Sequence, residues 1–252
     1  MSPAIVTSDE VALLELSLPT AEENVALDEA LLVAADERDG PAVLRIWEQR
    51  PNFAVVLGAS RRIAADVWAE NCREDGAPIV RRASGGGTVV IGPGALNVTL
   101  VLPFSAHPAL ASVDGAQMYI LNRIAEAIRA RGPEVEVLGS GDLTLAGRKF
   151  AGSAQRRLRR WVMVHASILY DMPITRISRY LRRPERQPAY RDQREHEEFL
   201  LNLPMHRTIL NESIRSAWPL SHRLDAASEV SRDLLESLLA EKFANRSWIE
   251  RF

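Results

Sequence analysis

Arg81-Arg82-Ala83-Ser84-Gly85-Gly86-Gly87-Thr88-Val89-Val90-Ile91-Gly92-Pro93-Gly94-Ala95-Leu96-Asn97 sets three consecutive glycines between two strand-like runs. Glycine weakens a strand interior, so a triplet there needs a reason other than packing. A backbone without Cβ atoms lets a ligand lie directly against peptide N–H groups, and the arginine pair just upstream suits an anionic ligand. On residue types alone, a bulge or tight turn accounts for the triplet equally well.

Working outward, residues 78–82, 88–91 and 95–102 read as strands around the glycines. Upstream, residues 11–18 alternate as a short strand. Thr20 with Glu23 three residues on forms a capping box for a helix striped by Ala26, Leu27, Ala30, Leu31 and Ala34, and Asp39-Gly40-Pro41 stops it. Residues 42–48 and 53–58 read as two strands of a hairpin joined through Gln49-Arg50-Pro51-Asn52. Residues 64–74 suit one short amphipathic helix with Cys72 on or beside its buried face. Downstream, 113–131 is a clear helix, followed by strands at 135–138, 143–151 and 161–170. The hairpin tip between the last two carries Arg156, Arg157, Arg159 and Arg160.

Beyond Asp171 the pattern changes. Residues 173–181 predict a short helix, 182–194 an extended loop rich in Arg, Pro and Gln, and 195–203, 208–218 and 226–243 further helices. The expected division is a main core at 1–172 and a helical C-terminal cap or subdomain at 173–252.

With 252 residues the chain has room for a sizeable core, and 46% hydrophobic with 25% charged residues is ordinary globular composition. Mean hydropathy of −0.11 agrees. Lys+Arg 31 against Asp+Glu 33 argues against a general nucleic-acid binder. One cysteine excludes an intrachain disulfide framework and a cysteine-rich zinc site. No run approaches the ~20 apolar residues of a membrane span. A cytoplasmic protein with no nucleic-acid or membrane partner is the expectation.

The second informative stretch is Gly141-Asp142-Leu143-Thr144-Leu145-Ala146-Gly147-Arg148-Lys149-Phe150-Ala151-Gly152-Ser153-Ala154-Gln155, a lone lysine among small residues, with His165 ten residues beyond it. Together the two stretches resemble the lipoate-protein ligase family, in the superfamily that also holds biotin ligases and octanoyltransferases. The pattern Arg-Arg-x-Ser-Gly-Gly-Gly, then Gly and Asn, is met by Arg81, Arg82, Ser84, the triplet, Gly94 and Asn97. The later pattern is met by Asp142, Leu143, Gly147, Lys149, then Gly152, Ser153 and Ala154, and finally His165. Leu44-Arg45-Ile46-Trp47 and Val55-Val56-Leu57-Gly58 fit the family's opening hairpin, so the resemblance covers roughly residues 11–172.

The resemblance implies an α+β fold, a mixed and mainly antiparallel sheet with packed helices of the class II aminoacyl-tRNA synthetase-like, biotin-lipoate ligase type. It implies activation of lipoate (or octanoate) by MgATP to an acyl-adenylate and pyrophosphate. Transfer follows to a lysine of a lipoyl-carrier domain, of a 2-oxoacid dehydrogenase, a glycine-cleavage H protein or a similar protein. Lys149 is the implied catalytic charge. Gly85, Gly86 and Gly87 admit the adenylate, Arg82 faces phosphate, and Ser84 belongs to the same wall. Asn97 orients a ligand carbonyl or the adenine side. Gly152, Ser153 and Ala154 form the opposite wall, His165 is either a site residue or a satisfied core histidine on its strand, and Trp47 is a pocket wall or plain core. Asp142 either takes Mg²⁺ or holds Lys149.

Departures from the pattern keep alternatives open. Octanoyltransferases of the superfamily use a cysteine thioester, whereas residues 138–142 hold no cysteine and Cys72 sits on a helix upstream. The Gly-Arg-Gly-Arg loop of biotin ligases is absent. The tail after Asp171 does not match the accessory domain of larger ligases, so the chain either activates the acid itself or depends on a separate accessory protein. Octanoyl transfer from an acyl-carrier protein, or a non-catalytic module that binds lipoyl groups or carriers, are the rival readings.

Overall fold

The computed structural model describes residues 10–38, 40–224, 230 and 232–252. Strand β1 (Val11–Glu15) leads into helix α1 (Ala21–Arg38). The expected capping box starts that helix: Glu23 Oε2 accepts the Thr20 N–H at 2.8 Å and Thr20 Oγ1 accepts the Glu23 N–H at 3.2 Å. Next come β2 (Val43–Trp47), β3 (Ala54–Leu57), α2 (Ile63–Asp66), α3 (Ala69–Glu74), β4 (Ile79–Arg81), β5 (Val89–Ile91) and β6 (Ala95–Pro103). Helix α4 (Val113–Arg129) is followed by β7 (Val135–Leu138), β8 (Asp142–Leu145), β9 (Arg148–Arg157) and β10 (Trp161–Leu169). The C-terminal part holds α5 (Ile174–Tyr180), α6 (His196–Phe199), α7 (Arg207–Ser216), β11 (Leu220–Arg223), α8 (Arg232–Leu238) and α9 (Arg246–Ile249).

Eight strands make a main sheet in the order β11-β1-β2-β6-β10-β9-β8-β7, and β4-β3-β5 form a smaller one. Only β11–β1 and β1–β2 run parallel in the main sheet, so the α+β, mainly antiparallel expectation holds. The alternation of β6 places the layers. Leu96, Val98, Leu100 and Leu102 pack with Ile120, Leu121, Ile124 and Ile128 of α4, while Val101 packs with Leu27 and Leu31 of α1 on the other face. Strand β10 divides likewise, Val162 and Val164 towards α4, Trp161 and Met163 towards α1. On the α1 face the sheet also presents Asn97, Thr99, His165 and Ser167, which line a cavity.

Several local expectations are corrected. β2 and β3 do not form a hairpin: both edges of β2 are taken by β1 and β6, and β3 pairs with β4 and β5. The helix expected at 64–74 is broken at Val67, which is extended and bridges Leu181, and the Trp68 N–H donates to the Tyr180 carbonyl at 2.8 Å. The arginine-bearing hairpin tip is shorter, because β9 stays paired with β10 through Arg156 and Arg157. The helix expected at 195–203 ends at Phe199, since Leu200 bridges Lys149.

The C-terminal segment supplies helices and also the edge strand β11. Leu234, Leu235 and Leu238 of α8 pack towards the apolar residues of α1. Residues 226–229 and 231 of the helix expected at 226–243, and Asp39 of the expected stop, lie outside the described residues; after α8 the chain widens into a π-helical turn, Leu239–Phe243. Among the described residues no helix is long and apolar enough to cross a membrane.

Candidate active site

The glycine stretch bridges β4 and β5 of the small sheet, and its two arginines are structural anchors. Arg81 is fully buried. Its Nη1 donates to the Gly58 and Arg61 carbonyls at 3.0 and 2.6 Å, and its Nε and Nη2 to the Trp248 and Ile249 carbonyls at 2.6 to 3.0 Å. Arg82 donates through Nε to Ser84 Oγ (3.0 Å), through Nη1 to the Val56 carbonyl (3.2 Å) and through Nη2 to the Gly85 and Gly87 carbonyls (2.6 and 2.7 Å). Burial brings its guanidinium down to about 10, which leaves it cationic at neutral pH. The sequence reading has Arg82 facing phosphate; in the structure its guanidinium holds the loop closed and ties it to β3, and the side chain also borders a cavity. Gly86 sits at φ +84°, and a Cβ there would lie 3.0 Å from Arg82 Nη2. The N–H groups of Gly85, Gly86 and Gly87 donate to no described residue, and these glycines are exposed. They form a strip of free donors for an anion or an acyl oxygen.

A buried polar chain ties this loop to the main sheet. Ser84 Oγ and His165 Nε2 are 2.6 Å apart, and His165 Nδ1 lies 3.6 Å from Asp28 Oδ2. Thr99 Oγ1 donates to Asp28 Oδ2 at 2.9 Å, and Arg45 pairs with Asp28 Oδ1. Burial alone would raise the Asp28 carboxyl, but the charges and hydrogen bonds of Arg45 and His165 outweigh it and hold it below the usual range. The sequence reading names His165 and misses Asp28 and Thr99. The available signal is an aspartate at position 28 inside the stripe Ala26, Leu27, Ala30, Leu31, where a buried charge requires a partner.

The opposite wall is the β8–β9 hairpin. Lys149 Nζ lies 2.7 Å from Asp142 Oδ1, and Tyr190 donates its hydroxyl to Asp142 Oδ2 at 2.6 Å. A Cβ on Gly152 would come within 2.7 Å of Lys149 Nζ, so the glycine keeps the amine's place open. Ser153 Oγ donates to the Gly141 carbonyl at 2.7 Å and accepts from Gln117 Nε2 at 2.6 Å, so its side chain fixes the wall.

Two cavities lie between the walls. One of about 120 Å³ is bounded by Trp47, Arg82, Asn97, Ala154 and His165. The other, of about 700 Å³, runs past Gly86, Asp142, Arg182, Arg191 and His196. Gly87, Lys149, Gly152 and Ser153 line both. Neither Ser84, which is buried, nor the exposed Gly85 lines either cavity. Asn97 Oδ1 accepts from Ser167 Oγ at 2.7 Å; Asn97 Nδ2 and Trp47 Nε1 are buried without a partner among the described residues.

The remaining candidates fall away from this junction. Cys72 is buried among Val55, Leu57, Val67 and Val90, and burial, with Asp75 beside it, pushes its thiol up to about 11. Arg157 is held by the Leu110 carbonyl at 2.7 Å and Arg160 by the Asp36 carbonyl at 2.7 Å, while Arg156 and Arg159 are exposed. No group of three or more His, Cys, Asp or Glu side chains suited to a metal occurs among the described residues. Asp142 has both oxygens engaged, by Lys149 and Tyr190.

A family model described as the lipoyl protein ligase A/B catalytic domain matches residues 20–206. A putative lipoate-protein ligase A of Aeropyrum pernix is 31% identical over 156 residues, covering 62% of this chain and 56% of that protein. An octanoyl-[GcvH]:protein N-octanoyltransferase of Geobacillus kaustophilus is 34% identical over 154 residues, covering 57% and 53%. The chain spans about half the length of these curated relatives. In fold it is similar to an archaeal bi-partite lipoate protein ligase from Thermoplasma acidophilum, with a TM-score of 0.78 over 96% of this chain and 97% of that one at 16% identity.

Proposed function

We propose a lipoate-protein ligase activity from one premise: the chain belongs to the lipoyl protein ligase A/B catalytic domain family, whose model covers most of its length. The observation that carries the reading is the junction at Lys149, where a narrow cavity and a nucleotide-sized one share a wall. In the first half-reaction a carboxylate oxygen of lipoate (or octanoate) attacks the α-phosphorus of ATP, and pyrophosphate leaves. In the second, a lysine amine of a lipoyl-carrier domain attacks the acyl carbonyl, the C–O bond to AMP breaks, and the amine loses a proton. Lys149, tethered by Asp142, keeps donors for the carboxylate and then for the carbonyl and phosphate oxygens as charge develops on them. The free N–H groups of Gly86 and Gly87 meet the same oxygens from the other wall. Asn97, Trp47, Ala154 and His165 shape the acyl side, and Arg82 and Ser84 hold the loop in register. Mg²⁺ carried on ATP would screen the phosphates.

The carrier is a lipoyl-bearing domain, of a 2-oxoacid dehydrogenase or a glycine-cleavage H protein. GcvH appears in the name of the Geobacillus relative and an E2 lipoyl domain beside the Thermoplasma ligase. That ligase is also described as bi-partite, which supports dependence on a separate accessory protein as one form of the reading. Octanoyl transfer is the second reading, favoured by the Geobacillus name. Against a thioester route stands Cys72, buried outside both cavities with its thiol pushed up to about 11. Lipoate-dependent exchange of labelled pyrophosphate into ATP tests the proposal. Exchange is expected to fall at least about 100-fold in Lys149→Ala, on the scale of a lost transition-state donor, and to persist in Cys72→Ser. Absence of exchange with intact transfer from octanoyl-carrier protein sinks the ligase reading.

A further inference from the structure

Residues 182–194 look like a loop in sequence but are stitched to the hairpin that carries Lys149. Arg194 Nη2 donates to the Gly147 carbonyl at 3.0 Å, Tyr190 reaches Asp142, and the Leu201 N–H donates to the Lys149 carbonyl at 3.0 Å. This strap fixes α6 against the larger cavity. His196, the first residue of α6, is only 7% exposed and lines that cavity, yet its imidazole makes no hydrogen bond to any described residue. Buried polar rings are ordinarily partnered. Arg191, 4% exposed and lining the same cavity, also leaves Nη2 without a partner.

The imidazole's charge state narrows what it meets. Burial, with the Arg191 and Lys149 charges beside it, holds His196 down to about 4, so the ring is neutral and presents one donor and one acceptor. A phosphate at neutral pH offers acceptors almost exclusively, and Lys149, Arg182, Arg186 and Arg191 already line the cavity for it. The group that satisfies both ring nitrogens is a hydroxyl, or a base edge with a donor next to an acceptor. Resting on the ligase reading, we propose that His196 is a nucleotide-binding residue that hydrogen-bonds an uncharged part of the nucleotide, a ribose hydroxyl or the edge of the base, while the neighbouring cations take the phosphates.

Calorimetric titration of MgATP, inorganic tripolyphosphate and lipoate into wild type, His196→Ala and His196→Asn tests this. His196→Ala is expected to bind MgATP about tenfold more weakly, the loss of one good hydrogen bond, with tripolyphosphate changed less than about twofold and lipoate unchanged. His196→Asn, which keeps a donor and an acceptor, is expected to recover part of the loss. Should the alanine variant fail to bind lipoate as a folded protein does, His196→Phe, which fills the volume without polar atoms, replaces it. Equal weakening of MgATP and tripolyphosphate, or no weakening of either, overturns the assignment alone. Failure of wild type to bind any nucleotide overturns the ligase reading and the assignment with it.

Discussion

A single imidazole shows how burial and neighbouring charge set a property no motif encodes. The ordinary histidine value is 6.5, and His196 is held near 4 by burial, Arg191 and Lys149. Between those values the unfolded chain binds a proton that the folded chain does not. The stability tied to this residue is therefore complete above pH 6.5 and is lost as the pH falls towards 4, reaching about 2 kcal/mol by pH 5. His196→Asn is expected to lose less stability between pH 7 and pH 5 than wild type, read from urea midpoints; parallel losses in the two proteins would refute this. Asp28 sits in a related but opposite setting. Its carboxylate is kept ionised by Arg45 and His165, so it resists protonation until well into the acid range.

The glycines of the site separate into two kinds at the level of the element. Gly94 sits at φ +90° and a Cβ there would meet the Asp171 backbone at 2.2 Å, so Gly94→Ala is expected to destabilise the fold by more than about 2 kcal/mol. Gly87 has open space around its Cβ position and lines both cavities, so Gly87→Ala is expected to keep its melting temperature and lose acyl-adenylate formation. A variant of Gly87 that melts early but turns over normally would reverse that assignment. Both walls were legible in the sequence because each is a contiguous run whose residue types are needed together: small residues for close approach, one lysine for charge. What was not legible depends on remote partners. β2 looks ready to pair with β3 until β1 and β6 occupy both its edges. The helix at 64–74 breaks at Val67 because Leu181, far along the chain, pairs there. Composition alone marks 182–194 as a loop, and only Gly147 and Asp142 on another element turn it into a strap.

Across the whole molecule, one long-range coupling runs from the C-terminal segment to the glycine loop. Trp248 Nε1 donates to the Arg81 carbonyl at 2.9 Å, and the Arg81 guanidinium answers with bonds to the Trp248 and Ile249 carbonyls. The neighbouring residue, Arg82, closes the loop over Gly85 and Gly87. Helix α9 is thus fastened, one peptide away, to the residue that shapes the active-site wall. Lys242 adds a second fastening, pairing with the buried Glu29 of α1 at 2.6 Å and lying 4.5 Å from the Trp248 ring. If the fastening matters to the loop, Trp248→Phe, which keeps the ring and removes the N–H, is expected to destabilise by about 1 kcal/mol. It should also slow adenylate formation, because the loop borders both cavities. Arg81→Ala should do both more strongly, since it orphans carbonyls at each end. The double variant discriminates: contact through one bonded unit predicts a coupling energy of about 0.5–3 kcal/mol, whereas independent sites predict additivity within about 0.5 kcal/mol. Additive losses with unaltered adenylation would mean that the C-terminal segment supports the fold without communicating with the site.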